Sequence, residues 1–334
     1  MELQCWSPDF GLPSWHPPCL ALQTYLSFAG CPVSFTALNN PFWAGQSDLP
    51  VFKHRQIRYH DFETIRLYLE SCKYSTDYGL APKDKAELTA YRDLVEHALR
   101  PAFELAVWVD PRNYTGLTRP WYAQQLGIPW SYYYPGQYHR RALGLIQSVS
   151  GVDEADPEVE AEMAYLESII YKRAAECLDV LSQRLGDQVY LLGAAPTSLD
   201  ALLYSLLAPG LKVPLPHPTL THLIRERANL EQYVTRITHK FFARYQKHPP
   251  TSPESSSGPR ESGGSSSSEG KENTGQPTDS SQPPANTVSY SGWSNWVAVS
   301  VAVVAMSAYG RYSGIFSHFS ALASRLVVTS GPDY

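Results

Sequence analysis

The sequence predicts a small α/β domain, then an all-helical domain, a disordered linker and a C-terminal transmembrane helix. Three observations support this order. Short apolar and β-branched runs alternate with helical segments in residues 1–75, and helical periodicity dominates residues 76–248. Residues 249–290 are rich in Ser, Pro and Gly, which cannot bury enough apolar surface to order a chain. An uncharged apolar stretch at 291–312 and an amphipathic tail at 313–334 follow.

Strands and helices alternate in the first domain. Strands are predicted at residues 2–6, 33–38, 51–52 and 57–59, and helices at 18–29 and 62–71. The order strand–helix–strand, then strand–strand–helix, resembles a thioredoxin-like unit. In the second domain, helices are predicted at 83–107, 119–126, 136–149, 157–185, 198–208 and 217–245. Prolines are interpreted as helix boundaries, which makes 129–135 a loop and ends one helix before Pro209.

A capping motif marks the start of the helix at 198–208. Residues 199–207 are apolar on nearly every side, so this helix must be buried and its first N–H groups need internal partners. Thr197 and Asp200 have the spacing of a capping box, in which each side chain accepts the backbone N–H of the other. Gly193 completes a Gly-x-x-x-Thr-x-x-Asp pattern. Loss of such a cap, as in Asp200→Ala, should cost about 1–2 kcal/mol.

The C-terminal part carries the features of a membrane anchor. No charged residue occurs between Asp279 and Arg311, and the stretch 293–310 would span roughly 27 Å as a helix. Aromatic residues flank this stretch, as they do at membrane interfaces. The residues taken to define the anchor are Trp293, Trp296, Val301, Val304 and Tyr309.

Composition excludes several classes of function. The formal charge of −5 and the absence of a basic face argue against a nucleic-acid partner. The five cysteines form no Cys-x-x-Cys pair, and no metal-ligand or nucleotide-binding motif occurs, so neither a metal nor a cofactor is predicted. The N-terminal segment lacks the pattern of a secretory signal or a matrix presequence.

The two-domain plan resembles the glutathione transferases, and their motif at the helix start matches Gly193, Thr197 and Asp200. In that family a hydroxyl or thiol after the first strand acts on the glutathione thiol. Here Ser7 and Ser14 lie in a long Pro-rich loop and are interpreted as ordinary loop residues. Cys19 lies inside the predicted first helix, where the helix dipole should lower its pKa little.

Two further features of the transferase resemblance give opposite indications. Pro50 occupies the place of the usually cis proline before the third strand, which is a feature of the fold. The Glu-Ser pair that grips glutathione is replaced by Asp61-Phe62, so Phe62 removes the hydroxyl that binds the γ-glutamyl carboxylate. The resemblance therefore implies the fold without the chemistry, and no catalytic residue is assigned. A glutathione-dependent transferase remains the alternative function.

Several strings in one order resemble the metaxins, more closely the metaxin 1 and 3 branch than metaxin 2. Among them are Lys-Tyr-x-x-Asp-Tyr-x-Leu at 73–80, Trp-Val-Asp-x-x-Asn-Tyr at 108–114 and Trp-Tyr-Ala at 121–123. The resemblance implies a non-enzymatic role in mitochondrial protein import and in sorting and assembly of β-barrel proteins. It implies as partners a metaxin 2-like protein, the sorting and assembly machinery and the lipid of the outer membrane. The implied location is the mitochondrial outer membrane, with the globular part facing the cytosol.

Nine aromatic residues are concentrated in residues 108–138. Trp108, Trp121 and Tyr122 lie on or beside predicted helices and are assigned to the core, where aromatic residues are common. The run between Pro129 and Pro135 is assigned to a surface instead, because aromatic side chains anchor many protein interfaces. The predicted partner surface consists of Trp130, Tyr132, Tyr133 and Tyr134.

Overall fold

The fold is taken from a computed structural model, which describes residues 1–44, 48–150 and 159–247. The predicted linker, transmembrane helix and tail lie outside the described residues, as do the residues assigned to the membrane anchor. Among the helices within the described ranges, none has the length and apolar composition that crossing a bilayer requires.

A four-stranded mixed sheet forms the first part of the molecule. The elements are β1 (Glu2–Cys5), α1 (Pro17–Phe28), β2 (Ser34–Ala37), a short α2 (Pro41–Ala44), β3 (Val51–His54), β4 (Ile57–Tyr59) and α3 (Phe62–Ser71). The strand order is β2-β1-β3-β4, with β1 parallel to β2 and antiparallel to β3. In this register Leu3 lies between Phe35 and Phe52. The predicted order of strands and helices is confirmed, with α2 as an addition.

The rest of the described chain is helical. It begins with a long helical run, in which α4 (Pro82–Leu94) is followed by a π-helical turn at Val95–Leu99. Helix α5 (Arg100–Glu104) comes next and is followed by a second π-helical turn at Leu105–Val109. It is followed by α6 (Pro111–Asn113), a third π turn (Tyr114–Thr118), α7 (Arg119–Leu126), α8 (Trp130–Ser150) and α9 (Val159–Leu185). The last helices are α10 (Ser198–Lys212), α11 (Thr219–Arg225) and α12 (Ala228–Phe242), with a 3₁₀ turn at Ala243–Lys247.

One continuous core joins the sheet to the helices. Helix α1 is buried from Cys19 to Leu26 and packs against α10, which is buried on nearly every side. Trp108, Trp121 and Tyr122 are all less than 10% exposed, which confirms their assignment to the core. The fold is thus of the glutathione transferase type, with a small mixed sheet and a helical second part.

The predicted loop at 129–135 is wrong, because α8 begins at Trp130. The buried residues Tyr134, Tyr138, Ala142 and Ile146 recur every four positions and give this segment a helical face. Pro135 lies inside the helix and is tolerated there, since packing of that face offsets the missing N–H.

Two other helix boundaries differ from the prediction. Helix α10 continues through Pro209 to Lys212, again because the surrounding turns are buried. The single helix predicted at 217–245 is divided at Arg227, whose φ of −113° and ψ of 84° are not helical. The Arg227 guanidinium instead donates to the carbonyl of Ala175 and to the carboxylate of Asp179 on α9.

Candidate functional site

The start of α10 is a closed network of buried polar groups. Thr197 and Asp200 form the capping box, and the Asp200 carboxylate accepts the Thr197 N–H at 2.8 Å and its hydroxyl at 2.7 Å. The same carboxylate accepts the N–H of Leu191 and the hydroxyl of Tyr233. Burial raises the pKa of Asp200, which these hydrogen bonds oppose. Four donors on one fully buried carboxylate indicate a structural role.

A second carboxylate, from the connection between the two domains, completes this helix start. Asp77 accepts the Ser198 N–H at 2.9 Å and the Ser198 hydroxyl at 2.6 Å, and it lies 4.0 Å from the Arg66 guanidinium on α3. Asp77 thus links the first domain to the central helix of the second. The sequence motif identifies Thr197 and Asp200 but gives no indication of Asp77, which is 121 residues away from Ser198.

The other residues assigned to the fold motif lie at tight backbone turns. Gly193 has a φ of +125°, which favours glycine, and it exchanges backbone hydrogen bonds with Tyr190. The Leu49–Pro50 peptide bond is cis and directly precedes β3. Neither residue contributes a side-chain group that could carry chemistry.

A cleft lies between the first domain and the helices of the second. One cavity of about 250 Å³ lies beside the Leu49–Pro50 turn and the start of α3, and its lining includes Phe62 and Ser205. A second cavity of about 470 Å³ extends from the start of α1 toward α8. Pro17, Asp48 and Arg100 line both cavities, so the two lie side by side in the cleft.

The cleft wall that would hold glutathione in a transferase is occupied by other contacts. Phe62 is the first residue of α3, and its ring packs edge-on against Tyr25 with 5.8 Å between centroids. Asp61 caps α3 by accepting the Thr64 N–H at 2.9 Å. The hydroxyl that would accompany these helix N–H groups in a transferase is therefore replaced by an aromatic ring.

The two candidate serines are engaged within the loop after β1. The N–H and hydroxyl of Ser7 both donate to the Asn39 side chain. Ser14 is fully buried, and its hydroxyl accepts the backbone N–H of His16 at 3.4 Å. Both serines thus fit the interpretation as structural loop residues.

Cys19 lies beside a thiol and an imidazole that the sequence pattern does not indicate. Helix α1 begins at Pro17, so Cys19 lies in its first turn, and the side chain is fully buried. Burial opposes ionisation, but hydrogen bonding to the Cys5 thiol and the charge of His16 outweigh it and lower the pKa of Cys19 to about 6. The lowering thus comes from the neighbouring thiol and imidazole, which is compatible with the small effect expected of the helix dipole.

The buried His16 and the partly exposed Glu104 are two titratable groups on the wall of the larger cavity. Burial lowers the pKa of His16, but Cys19, Asp48 and Glu104 outweigh this and raise it. Burial also raises the pKa of Glu104, against the opposing influence of Arg100 and His16. Both residues were absent from the sequence analysis.

Exposed aromatic rings lie where α2 meets the start of α8. Phe42 stacks on Trp130 with 4.4 Å between ring centroids, and Trp43, next to it, is 71% exposed. Tyr132 is 74% exposed and Tyr133 is 48% exposed. We call Phe42, Trp43, Trp130, Tyr132 and Tyr133 the aromatic surface.

The structure changes the predicted partner surface in two ways. Tyr134 is only 4% exposed and belongs to the core, so its assignment to a surface is wrong. Phe42 and Trp43 of the first domain were missed. The signal in the sequence is that residues 31–47 and 120–138 contain no Asp, Glu, Lys or Arg, since charged residues are depleted at the centre of interfaces.

Three potential metal ligands lie close together, although no metal is predicted from the sequence. Single ligand atoms of Asp110, Glu167 and His217 lie within 4.8 Å of one another. Asp110 already accepts the N–H groups of Arg112 and Asn113 and bonds the His217 ring. The Arg112 guanidinium lies 3.0 Å from His217 Nδ1. These contacts indicate a hydrogen-bonded helix start.

Comparisons with protein families give two matches along the chain. A family model described as an outer mitochondrial membrane transport complex protein matches residues 19–139. A model of the glutathione S-transferase C-terminal domain matches residues 174–237.

Among similar curated proteins, Metaxin-3 of Xenopus laevis is 36% identical over 242 residues, covering 72% of this chain and 77% of that protein. Metaxin-1 of Homo sapiens is 37% identical over 244 residues, covering 72% of this chain and 51% of that protein. Among solved structures, glutathione S-transferase III in its apo form has a TM-score of 0.46 and 18% identity, covering 75% of this chain and 99% of that one.

Proposed function

The chain belongs to the metaxin family, and we propose that it is a non-catalytic component of a transport complex of the mitochondrial outer membrane. Its similarity to Metaxin-3 and Metaxin-1 supports this role, as does its match to the model of an outer mitochondrial membrane transport complex protein. Within that role we propose that the chain acts in protein import and in the sorting and assembly of β-barrel proteins.

The proposed partners are a metaxin 2-like protein and the β-barrel sorting and assembly machinery. We propose that residues 291–312 anchor the chain in the outer membrane and that the globular part faces the cytosol. Release of the full chain from mitochondria by alkaline carbonate would contradict the anchor.

The single observation that carries the non-catalytic role is the side chain at the start of α3. Phe62 and the capping of Thr64 by Asp61 occupy the place where a transferase grips glutathione. Ser14 is fully buried and is therefore not available to a substrate thiol. We expect no turnover of an aryl halide with glutathione and no retention on immobilised glutathione.

The aromatic surface is the proposed site of partner binding. Its rings come from both domains, and the stacking of Phe42 on Trp130 joins the two parts into one surface. Trp and Tyr anchors of this kind account for much of the binding energy in protein interfaces.

The test is co-purification of tagged full chain from mitochondria. The double variant Tyr132→Ser, Tyr133→Ser should recover at least tenfold less metaxin 2-like protein than the wild type. Tyr165→Ser is the matched control, because Tyr165 is also exposed, at 64%, but lies on α9. Equal recovery from the double variant and the wild type, at equal amounts of folded protein, would contradict the proposed surface.

The alternative function, a glutathione-dependent transferase, is favoured only by the retained cleft between the domains. Saturable turnover of an aryl halide by the purified full chain would establish it. A matched Phe62→Ser variant would then show whether the missing hydroxyl limits glutathione binding.

A further inference from the structure

The sheet of the first domain has two edges, and only one of them is protected by charge. Strand β4 forms that edge and is three residues long. Arg58 on β4 lies opposite Lys53 of β3 in the register, and the exposed Arg55 lies in the turn that precedes β4. Charged side chains and short edge strands keep a sheet from pairing with another chain. The β4 edge is thus protected against a further strand.

The other edge, formed by β2, has no such protection. Its sequence is Ser-Phe-Thr-Ala, and the whole segment 31–47 contains no Asp, Glu, Lys or Arg. Ser34, Thr36 and Ala37 are exposed, while Phe35 is partly buried against the core. An exposed edge strand without charged residues is a template on which an extended chain can pair.

The backbone of β2 has polar groups that point away from the sheet. The N–H groups of Ser34 and Leu38 both donate to carbonyls of the segment 1–5. Because backbone groups alternate in direction along a strand, the N–H and carbonyl groups of Phe35 and Ala37 point outward. Among the described residues these outward groups make no hydrogen bond. Two donors and two acceptors are therefore available at the spacing that a neighbouring strand uses.

A small cavity lies directly beside this edge. It has a volume of about 90 Å³, and Gln23, Phe35 and Ala37 are among the residues that line it. Gln23 belongs to α1, so the cavity lies on the side of the sheet that this helix covers. Side chains of a strand alternate between the two faces of a sheet, so a strand beside β2 directs every second side chain toward this cavity. The volume suits a small aliphatic side chain such as that of valine.

The surroundings of the β2 edge indicate what binds there. Phe42 of the aromatic surface follows Ala37 by five residues and so lies within about 18 Å of it. A protein bound to the aromatic surface therefore reaches the β2 edge with one further segment. The lack of charged residues across 31–47 favours a segment without charges, since a charge buried there would lose its hydration and gain no ion partner from this segment.

We propose that the free edge of β2 binds an extended, uncharged segment of the partner protein as a fifth strand, with one small aliphatic side chain in the cavity beside it. Hydrogen bonds to the backbone of Phe35 and Ala37 hold the segment, and the cavity selects its side chain. The proposal rests on the proposed function, because the partner is the metaxin 2-like protein assigned to the aromatic surface.

The test removes one outward donor and measures co-purification from mitochondria with the tagged full chain. Ala37→Pro deletes an N–H that points away from the sheet, so the hydrogen bonds between β1 and β2 remain. This variant should recover at least tenfold less metaxin 2-like protein than the wild type. Ala37→Ser is the matched control, since it keeps the N–H, and it should recover as much as the wild type. Equal recovery from Ala37→Pro and the wild type would overturn the proposal.

Two further variants keep every backbone group and are compared at equal amounts of folded protein. Thr36→Lys places a charge on the free edge and should lower recovery at least fivefold. Gln56→Lys is its control, because Gln56 is exposed in the turn before β4, and it should have no effect. Phe35→Trp should lower recovery at least fivefold by filling the cavity. Unchanged recovery with Thr36→Lys or with Phe35→Trp would overturn the proposal.

Hydrogen–deuterium exchange measures the proposed hydrogen bonds directly. In the purified complex the amides of Phe35 and Ala37 should exchange at least tenfold more slowly than in the free chain. The amide of Arg58, on the protected edge, should exchange at the same rate in both. Unchanged exchange at Phe35 and Ala37 would overturn the proposal.

Failure of the added strand and failure of the proposed function give different results. If the wild type recovers no metaxin 2-like protein, the proposed function fails and the added strand fails with it. If the wild type and Ala37→Pro recover that protein equally, only the added strand is overturned. A second, differently tagged copy of the chain that is recovered by the wild type and lost with Ala37→Pro, while the metaxin 2-like protein is retained, would assign the edge to self-association and overturn the proposal.

Discussion

The start of α10 and the wall of the cleft are both places where polar groups are buried, but only the first is fully satisfied. At α10, Asp200 accepts four hydrogen bonds and Asp77 accepts two. In the cleft, His16 Nδ1 has no hydrogen-bond partner among the described residues, and the partly exposed Glu104 carboxylate meets Arg100 only at the 4.0 Å of a long ion pair. A satisfied network stabilises the fold, whereas a buried group without a partner lowers stability.

The largest expected effect comes from breaking the satisfied network at its centre. Asp200→Ala removes the acceptor of four buried hydrogen bonds, including those of the Leu191 N–H and the Tyr233 hydroxyl. We expect a loss of about 3–5 kcal/mol in the free energy of unfolding, because several donors remain buried and unpaired. This exceeds the value expected for loss of a cap alone. Denaturant unfolding measures it, and a loss below about 1 kcal/mol would contradict the network.

A smaller loss is expected at the other carboxylate of this helix start. Asp77→Ala leaves the Ser198 N–H and hydroxyl without their acceptor and removes the charge near Arg66. The unfolding free energy should fall by about 2 kcal/mol. In a protein that already carries Ser198→Ala, Asp77→Ala should lower the unfolding free energy by less than it does in the wild type. Strictly additive losses in this double-mutant cycle would argue against the hydrogen bond between the Ser198 hydroxyl and Asp77.

Lys212 provides an intermediate case, with a partly buried charge and one long contact, 3.4 Å, to the Gly11 carbonyl. Burial lowers the pKa of Lys212 from 10.5 to about 8. At pH 7 both the folded and the unfolded states carry the proton, and the folded state therefore bears the cost of burying the charge. Lys212→Met should raise the unfolding free energy by about 1–2 kcal/mol at pH 7.

The advantage of Lys212→Met should depend on pH. Between about pH 8 and pH 10.5 the folded state of the wild type has lost the proton while the unfolded state still binds it, so wild-type stability rises with pH. The difference between variant and wild type should thus shrink over this range. Unfolding curves at pH 7 and pH 10 measure it, and a difference that grows with pH would refute the assignment.

The smallest effect is expected at Glu104 in the cleft, whose only described partner is the long ion pair with Arg100. Because burial raises the pKa of Glu104 above its ordinary value of 4.5, its contribution to stability is present at low pH and is lost as pH rises through the folded pKa. Glu104→Gln should therefore be slightly more stable than the wild type at pH 7 and no more stable near pH 4. If Glu104→Gln destabilised the protein at pH 7, Glu104 would stabilise the fold as Asp200 does. That result would contradict the difference between the two regions.

The sequence allowed prediction of those features that depend on neighbouring residues. The spacing of Thr197 and Asp200 identifies a helix start, and Phe62 identifies the loss of the glutathione-binding hydroxyl. Both features lie within short sequence motifs, so they can be recognised without knowledge of the fold. The helix at Trp130 contradicts the loop predicted from Pro129 and Pro135, because burial of Tyr134 and Tyr138 on one helical face outweighs the effect of the prolines.

The features that were missed depend on contacts between distant segments. Asp77 meets Ser198 across 121 residues, and the stacking of Phe42 on Trp130 joins two domains. No local pattern encodes the burial of His16, which depends on contacts with distant segments such as Tyr122 and Tyr138. The charge-free segments at 31–47 and 120–138 were nevertheless visible and would have located the aromatic surface.

The central claim is that this chain works by binding a protein partner through the aromatic surface. The most direct measurement is photo-crosslinking in intact mitochondria, with benzoylphenylalanine placed at Tyr132 and, as a control, at Tyr165, which is also well exposed. We expect a discrete adduct with a metaxin 2-like protein from position 132 and none from position 165. Adducts with lipid alone from position 132, or the same protein adduct from both positions, would contradict the claim.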